Sequence, residues 1–189
     1  MRLKIGFRSC VIYFVAGVIW TTGNMAMAST GAEILIGAAT TNITPEGPVA
    51  LSGQMNRRIA HEVTSPLTAT AIAMESRKEG KTIDQAIMVS CDLMGIPEGM
   101  VERLRQGLKD RLPDFEFKKL FLNATHTHNA PVLKEDLYDI PEKGVIQPAV
   151  YVRFLIDRLS DLIIRAWEAR KPSAMSWDGL APREINHRI

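Results

Sequence analysis

The 189-residue chain predicts an α/β fold, a mixed β-sheet core flanked by helices. Three observations carry this expectation. Residues 86–91, 97–112 and 119–125 follow one another as strand, helix and strand, the order of a βαβ unit. The runs Leu67 to Met74 and Ala86 to Cys91, joined through Arg77 to Lys81, read as a hairpin. From Ala149 to Arg170, residues Val152, Leu155, Leu159, Leu162, Ile163 and Ala166 form one apolar stripe, the pattern of a core-packing helix.

Residues 1–28 have the build of a secretory signal, and 29–189 that of one partial catalytic domain. Arg2, Lys4 and Arg8 form a basic start, and Val11 to Trp20 an apolar core too short for a comfortable membrane span. Ala26-Met27-Ala28 forms a small-residue cleavage site. Export to a periplasm or to the exterior is therefore expected. Removing the signal leaves 20 basic against 21 acidic side chains, and this balance gives no sign of nucleic-acid binding. It also removes Cys10. Cys91 then stands alone in an apolar run, which makes it a core residue with no internal disulfide to form.

Along the rest of the chain, Glu33 to Ala39 reads as a first strand, closed by the turn-prone Asn42 to Pro48. Gly53, Gln54, Asn56, Arg57 and Arg58 then make a polar stretch that fits a loop, near a site or simply at the surface. Ala86 to Cys91, apolar apart from Ser90, is expected to be buried on both faces. Val101, Leu104, Leu108 and Leu112 repeat at helical spacing, with Pro97 suited to the first turn and Pro113 ending the helix. Lys134 to Gln147 is a loop, either a mobile lid or an ordinary surface segment. Pro172 ends the long helix, and Ala174 to Trp177 resumes as a short strand. The chain stops in mid-element at Asn186-His187-Arg188-Ile189, as a truncated reading frame or a fragment would.

The chemistry concentrates in Asn123-Ala124-Thr125-His126-Thr127-His128-Asn129-Ala130-Pro131, which holds two of the four histidines. Leu120-Phe121-Leu122 reads as a buried strand, and its period of two sends His126 and His128 to one face at the mouth of a loop. Both imidazoles could then serve one cation, or one could bind it while the other holds substrate. A metallo-β-lactamase pattern is disfavoured, because Ala130 and Pro131 stand where that family needs an Asp-His pair.

With these pieces in order, the chain resembles the N-terminal domain of the neutral, non-lysosomal ceramidases. Four motifs carry the resemblance, over residues 36–131: Ile36-Gly37-Ala38-Ala39 leading to Asn42-Ile43-Thr44-Pro45; Pro66-Leu67-Thr68-Ala69-Thr70-Ala71; Val89-Ser90-Cys91-Asp92-Leu93; and Ala124-Thr125-His126-Thr127-His128-Asn129-Ala130-Pro131. The resemblance implies the N-terminal part of a larger zinc-amidase catalytic domain that hydrolyses the amide joining a fatty acyl chain to a sphingoid base. It implies a lipid amide substrate and a peripheral contact with the membrane surface. It makes His126 a zinc ligand and His128 the adjacent catalytic or substrate-binding residue. Asp92 is expected either to orient a histidine N–H or to serve as a cap or turn residue, and Asn123 carries the same two readings. Arg188, in Asn186-His187-Arg188, resembles a substrate contact.

The chain departs from the family at Asn129-Ala130, where Ser-Gly is frequent, and at Thr64-Ser65, where His-Asp is frequent; His61 stands three positions too early to replace that histidine. The family's remaining zinc ligands, a histidine, a glutamate and a tyrosine, come from segments downstream of anything in this sequence. The rival expectations are an inactive remnant, a lipid- or glycan-binding module, or another zinc hydrolase on the same domain.

Overall fold

A computed structural model describes residues 31–176. Its main sheet has five strands in the order β6-β5-β4-β1-β7: β1 (Glu33–Asn42), β4 (Thr68–Lys78), β5 (Lys81–Cys91), β6 (Leu120–Ala124) and β7 (Lys171–Ser173). The sheet is mixed, with β5 and β6 parallel and the other pairs antiparallel. A separate two-stranded hairpin joins β2 (Val49–Leu51) to β3 (Arg58–Ala60). The helices are α1 (Met100–Leu108) and α2 (Pro148–Glu168).

The β4–β5 hairpin is longer than its apolar runs indicate. Glu79 and Gly80 both have left-handed backbone, φ 52° and 76°, the two-residue turn that matches the twist of paired strands. The ladder therefore continues to Lys78 opposite Lys81, and Arg77 to Lys81 is mostly strand. Helix α1 is shorter than its spacing predicts. Gly99, at φ 77°, starts it, so Pro97 stays outside the first turn. The last strand is Lys171–Ser173, with Ala174 onward outside it; Pro172 is accommodated because β7 is a sheet edge. Trp177 lies outside the described residues, as do the expected signal and Arg188.

Helix α2 packs on β1 and β4, and α1 packs on α2 and β6. Their apolar faces join the inward residues of the sheet, Ala69, Ala71, Ala73, Ile87, Val89 and Cys91, in one core. Burial pushes the Cys91 thiol up to about 12, and the Asp92 charge adds to this, so the thiol stays protonated and inert. Strand β5 is thus buried on one face only. In register, Ala38, Ile72, Met88 and Phe121 form an apolar row across the opposite face. Ile72, Met88 and Phe121 remain 43 %, 49 % and 51 % exposed, because both helices lie on the other side. The expected burial of Leu120-Phe121-Leu122 fails at Phe121 for the same reason, and β6 is an edge strand.

Two contacts lock α2 in place. A Cβ at Gly37 would lie 2.2 Å from the Ala166 carbonyl and 2.7 Å from the Arg170 nitrogen, so the helix approaches β1 as closely as backbone allows. The buried Tyr151 hydroxyl donates to the Ile43 carbonyl at 2.7 Å. Past the helix end, Glu75, 3 % exposed, accepts from Arg77 and from the Thr82 hydroxyl at 2.6 Å. Arg170 Nε lies 3.1 Å from the Glu75 carboxylate, within ion-pair reach but not aligned as a hydrogen bond. Burial alone would raise the Glu75 pKa, but hydrogen bonds from Arg77 and Thr82 and the charges of Arg170 and Arg77 outweigh it and hold the carboxyl below its usual range.

Two stability tests follow. Gly37→Ala should cost about 3 kcal/mol in urea denaturation through overpacking, whereas Gly107→Ala in α1, where a Cβ meets nothing within 4 Å, should stabilise by about 0.5 kcal/mol. Equal effects would contradict the close approach. Glu75→Gln should destabilise by about 3 kcal/mol at pH 7, by leaving buried guanidinium charge uncompensated. A depressed carboxyl contributes stability above the unfolded value, about 4.3, and loses it as pH falls through the folded value. The gap between wild type and variant should therefore close as pH falls through the lowered folded value; a gap independent of pH would refute the ionised role.

Candidate metal centre

The histidine segment continues the β6 ladder without remaining a strand. Beyond the Cys91–Ala124 pair, Thr125 N–H donates to the Cys91 carbonyl at 2.9 Å and Thr127 N–H to the Leu93 carbonyl at 3.2 Å. On its other side, the segment is bonded to β2: Ser52 N–H donates to the Ala130 carbonyl at 2.9 Å, and Val132 N–H to the Ala50 carbonyl at 2.8 Å. His126 itself has φ 66°, so the alternation expected of a strand does not reach it. The left-handed kink and the turn at His128 and Asn129 achieve a similar result by another route. The two rings stand edge to face with centroids 5.2 Å apart, and both residues are exposed.

One contact defines the chemistry of His126. Its Nδ1 lies 2.8 Å from the Met94 carbonyl oxygen. A carbonyl only accepts, so Nδ1 carries the proton and, in the neutral ring, Nε2 keeps its lone pair. That is the tautomer of a metal ligand or a general base. A backbone oxygen thus orients this ring, and nothing in the residue identity of Met94 announces it. Its only signal is position, just beyond the end of the neighbouring strand.

Asp92 acts one residue earlier. One carboxylate oxygen accepts from the Thr68 N–H at 2.9 Å and the Thr68 hydroxyl at 2.8 Å, and the other accepts from the Thr125 hydroxyl at 3.3 Å. It ties β4 to the residue before His126. Asn123 donates to the Ser90 hydroxyl at 3.3 Å on the helix-free face of the sheet. Two residues of the polar stretch, which its composition placed either near a site or simply at the surface, reach the second histidine: Arg58 donates from Nη2 to the His128 carbonyl at 2.7 Å, and Gly53 abuts the His128 ring. Beside the histidine segment, an open cavity of about 460 Å3 is lined by Leu51, Val63, Leu67, Thr127, Asn129 and Pro131, among others.

Zinc in a structural or catalytic site takes three or four protein ligands. Among the described residues, no group of three or more His, Cys, Asp or Glu is placed to hold a metal ion. The donor chemistry of His126 suits zinc, but the described residues do not by themselves make up a zinc ligand set.

The Asp92 link can be tested on its own. Asp92→Ala should cost about 2 kcal/mol, because it strands the part-buried Thr68 N–H, and it should broaden the His126 ring signals in NMR as the loop start loosens. Unchanged His126 signals would mean that the loop is held by its main-chain bonds alone.

No family model matches the sequence, and no curated protein does. Among solved structures, neutral ceramidase from Pseudomonas aeruginosa is similar, with a TM-score of 0.60 and 19 % identity over 75 % of this chain and 22 % of that one. A ceramidase complexed with C2 gives the same figures. The chain therefore spans about a fifth of the length of these structures. At this identity the likeness is one of fold: the chain is built like a part of neutral ceramidase.

Proposed function

We propose that this chain is the N-terminal part of an exported, zinc-dependent amidohydrolase that cleaves an N-acyl amide, ceramide foremost, to a sphingoid base and a fatty acid. The observation that carries the reading is the Met94 contact, which leaves Nε2 of His126 as an electron-pair donor beside a second imidazole. The ceramidase-like fold and the four motifs support the same assignment.

Zinc, when bound, polarises an amide carbonyl and lowers the pKa of a water toward neutrality. His126 is the ligand this chain contributes, and the others are proposed to come from polypeptide beyond the described residues. Hydrolysis breaks the acyl C–N bond, forms a C–O bond from water and delivers one proton to the departing amine. His128 is proposed to hold or move that proton, or to donate to the developing oxyanion. Asp92 and Asn123 are proposed to hold the strand ends under the histidines, and Arg188 to touch substrate. A lipid amide implies a peripheral encounter with a membrane surface. Among the described residues no helix is long and apolar enough to cross one.

The partial ligand set favours one second reading, a remnant or a lipid- or glycan-binding module that keeps the fold without turnover. The native exported polypeptide, its intact mass recorded, separates the two. It should release fatty acid from a short-chain ceramide, lose this activity on chelation and regain it with zinc. His126→Ala should lower turnover at least about a hundredfold together with zinc content. Zinc content and turnover unaffected by His126→Ala would sink the assignment, and a short chain that binds the amide without cleaving it would establish the module.

A further inference from the structure

The polar stretch around Gly53 and Arg58 forms the tip and return strand of the β2–β3 hairpin, and it meets the second histidine directly. Gly53 has φ 87°. A Cβ placed there would lie 2.6 Å from Cγ, 2.8 Å from Nδ1 and 2.9 Å from Cδ2 of His128. Contacts between non-bonded carbons settle near 3.5–4.0 Å, at roughly these values. The ring therefore occupies the space that any side chain at residue 53 would need. The same hairpin holds the backbone beneath that ring. Arg58 Nη2 donates to the His128 carbonyl at 2.7 Å, Ser52 N–H donates to the Ala130 carbonyl, and Leu51 bridges Pro131. The hairpin is anchored in turn, since the Tyr138 hydroxyl donates to the Gln54 carbonyl and Asp139 lies 4.0 Å from Arg57.

We infer that the β2–β3 hairpin is the positioning element for His128, with Gly53 giving the imidazole its seat and Arg58 fixing the backbone that carries it. His126 is held from the opposite side, by Met94, so the edge-to-face geometry of the two rings depends on two separate segments. The use of the ring rests on the function proposed above; its seating does not.

Ring NMR of the full chain tests the seat against a matched control. Gly80, at φ 76°, carries the same left-handed backbone demand, but a Cβ there meets nothing within 4 Å. Gly53→Ala should move the His128 ring signals by roughly 0.2 ppm or more and those of the neighbouring His126 ring by less, whereas Gly80→Ala should move neither. In the zinc-dependent assay on the native polypeptide, Gly53→Ala should lower kcat about tenfold or more, with zinc content unchanged. His128 signals that respond alike to Gly53→Ala and Gly80→Ala would overturn the inference. If Gly53→Ala does not fold, Arg58→Met decides: His128 signals that shift more than those of His126 support the inference, and His128 signals that are unmoved or shift no more than those of His126 overturn it. The ring measurements stand even if the native protein hydrolyses no amide, so failure of the functional reading and failure of the seating are told apart.

Discussion

The close approach of α2 to β1 at Gly37 is the constraint on which the other arrangements depend. Without a side chain at that position the helix backbone rests almost on the sheet, and its apolar stripe fills the space above β1 and β4. The approach brings Tyr151 within reach of the Ile43 carbonyl and Arg170 within reach of Glu75. It also leads the chain back along β1, where three residues pair as β7. Since α1 packs against α2, both helices end on one side, and the opposite face of the sheet keeps its apolar row exposed.

The histidine segment is held by a different logic. Its main chain is bonded on one side to the residues continuing β5 and on the other to β2, so a stretch with little regular structure is still fixed along most of its length. Contacts to side chains then refine what the main chain sets. The Asp92 carboxylate accepts from the Thr125 hydroxyl, the Met94 main-chain carbonyl orients the His126 ring, and the β2–β3 hairpin meets the His128 ring. Loops placed in this way at the ends of strands are where rigid scaffolds carry chemistry. The left-handed backbone at His126 marks the point where ladder geometry gives way to site geometry.

Regular elements were legible where a repeat in the sequence coincides with a repeat in the structure. The α2 stripe, the hairpin and the strand-helix-strand order follow from periods of 3.6 and 2 that any packed core imposes. Their limits were less legible. The Glu79-Gly80 turn extends two strands through charged residues, because turn geometry and not hydrophobicity decides where that ladder ends. The one-sided burial of β5 escaped the sequence as well, since Met88 is as apolar as its neighbours and only the placement of the helices leaves it open.

For the site, the residue types and their order were in the sequence by itself: two imidazoles two positions apart, after a strand, with small residues and a proline to follow. Those are local properties, set by side-chain chemistry and spacing. Tertiary structure decided which nitrogen of His126 carries the proton, because the Met94 carbonyl belongs to another strand end. It also decided that Asp92 bonds threonines and that a glycine more than seventy residues away faces His128. Contacts of that kind depend on the closure of the sheet and the docking of a hairpin, and no period along the chain encodes them.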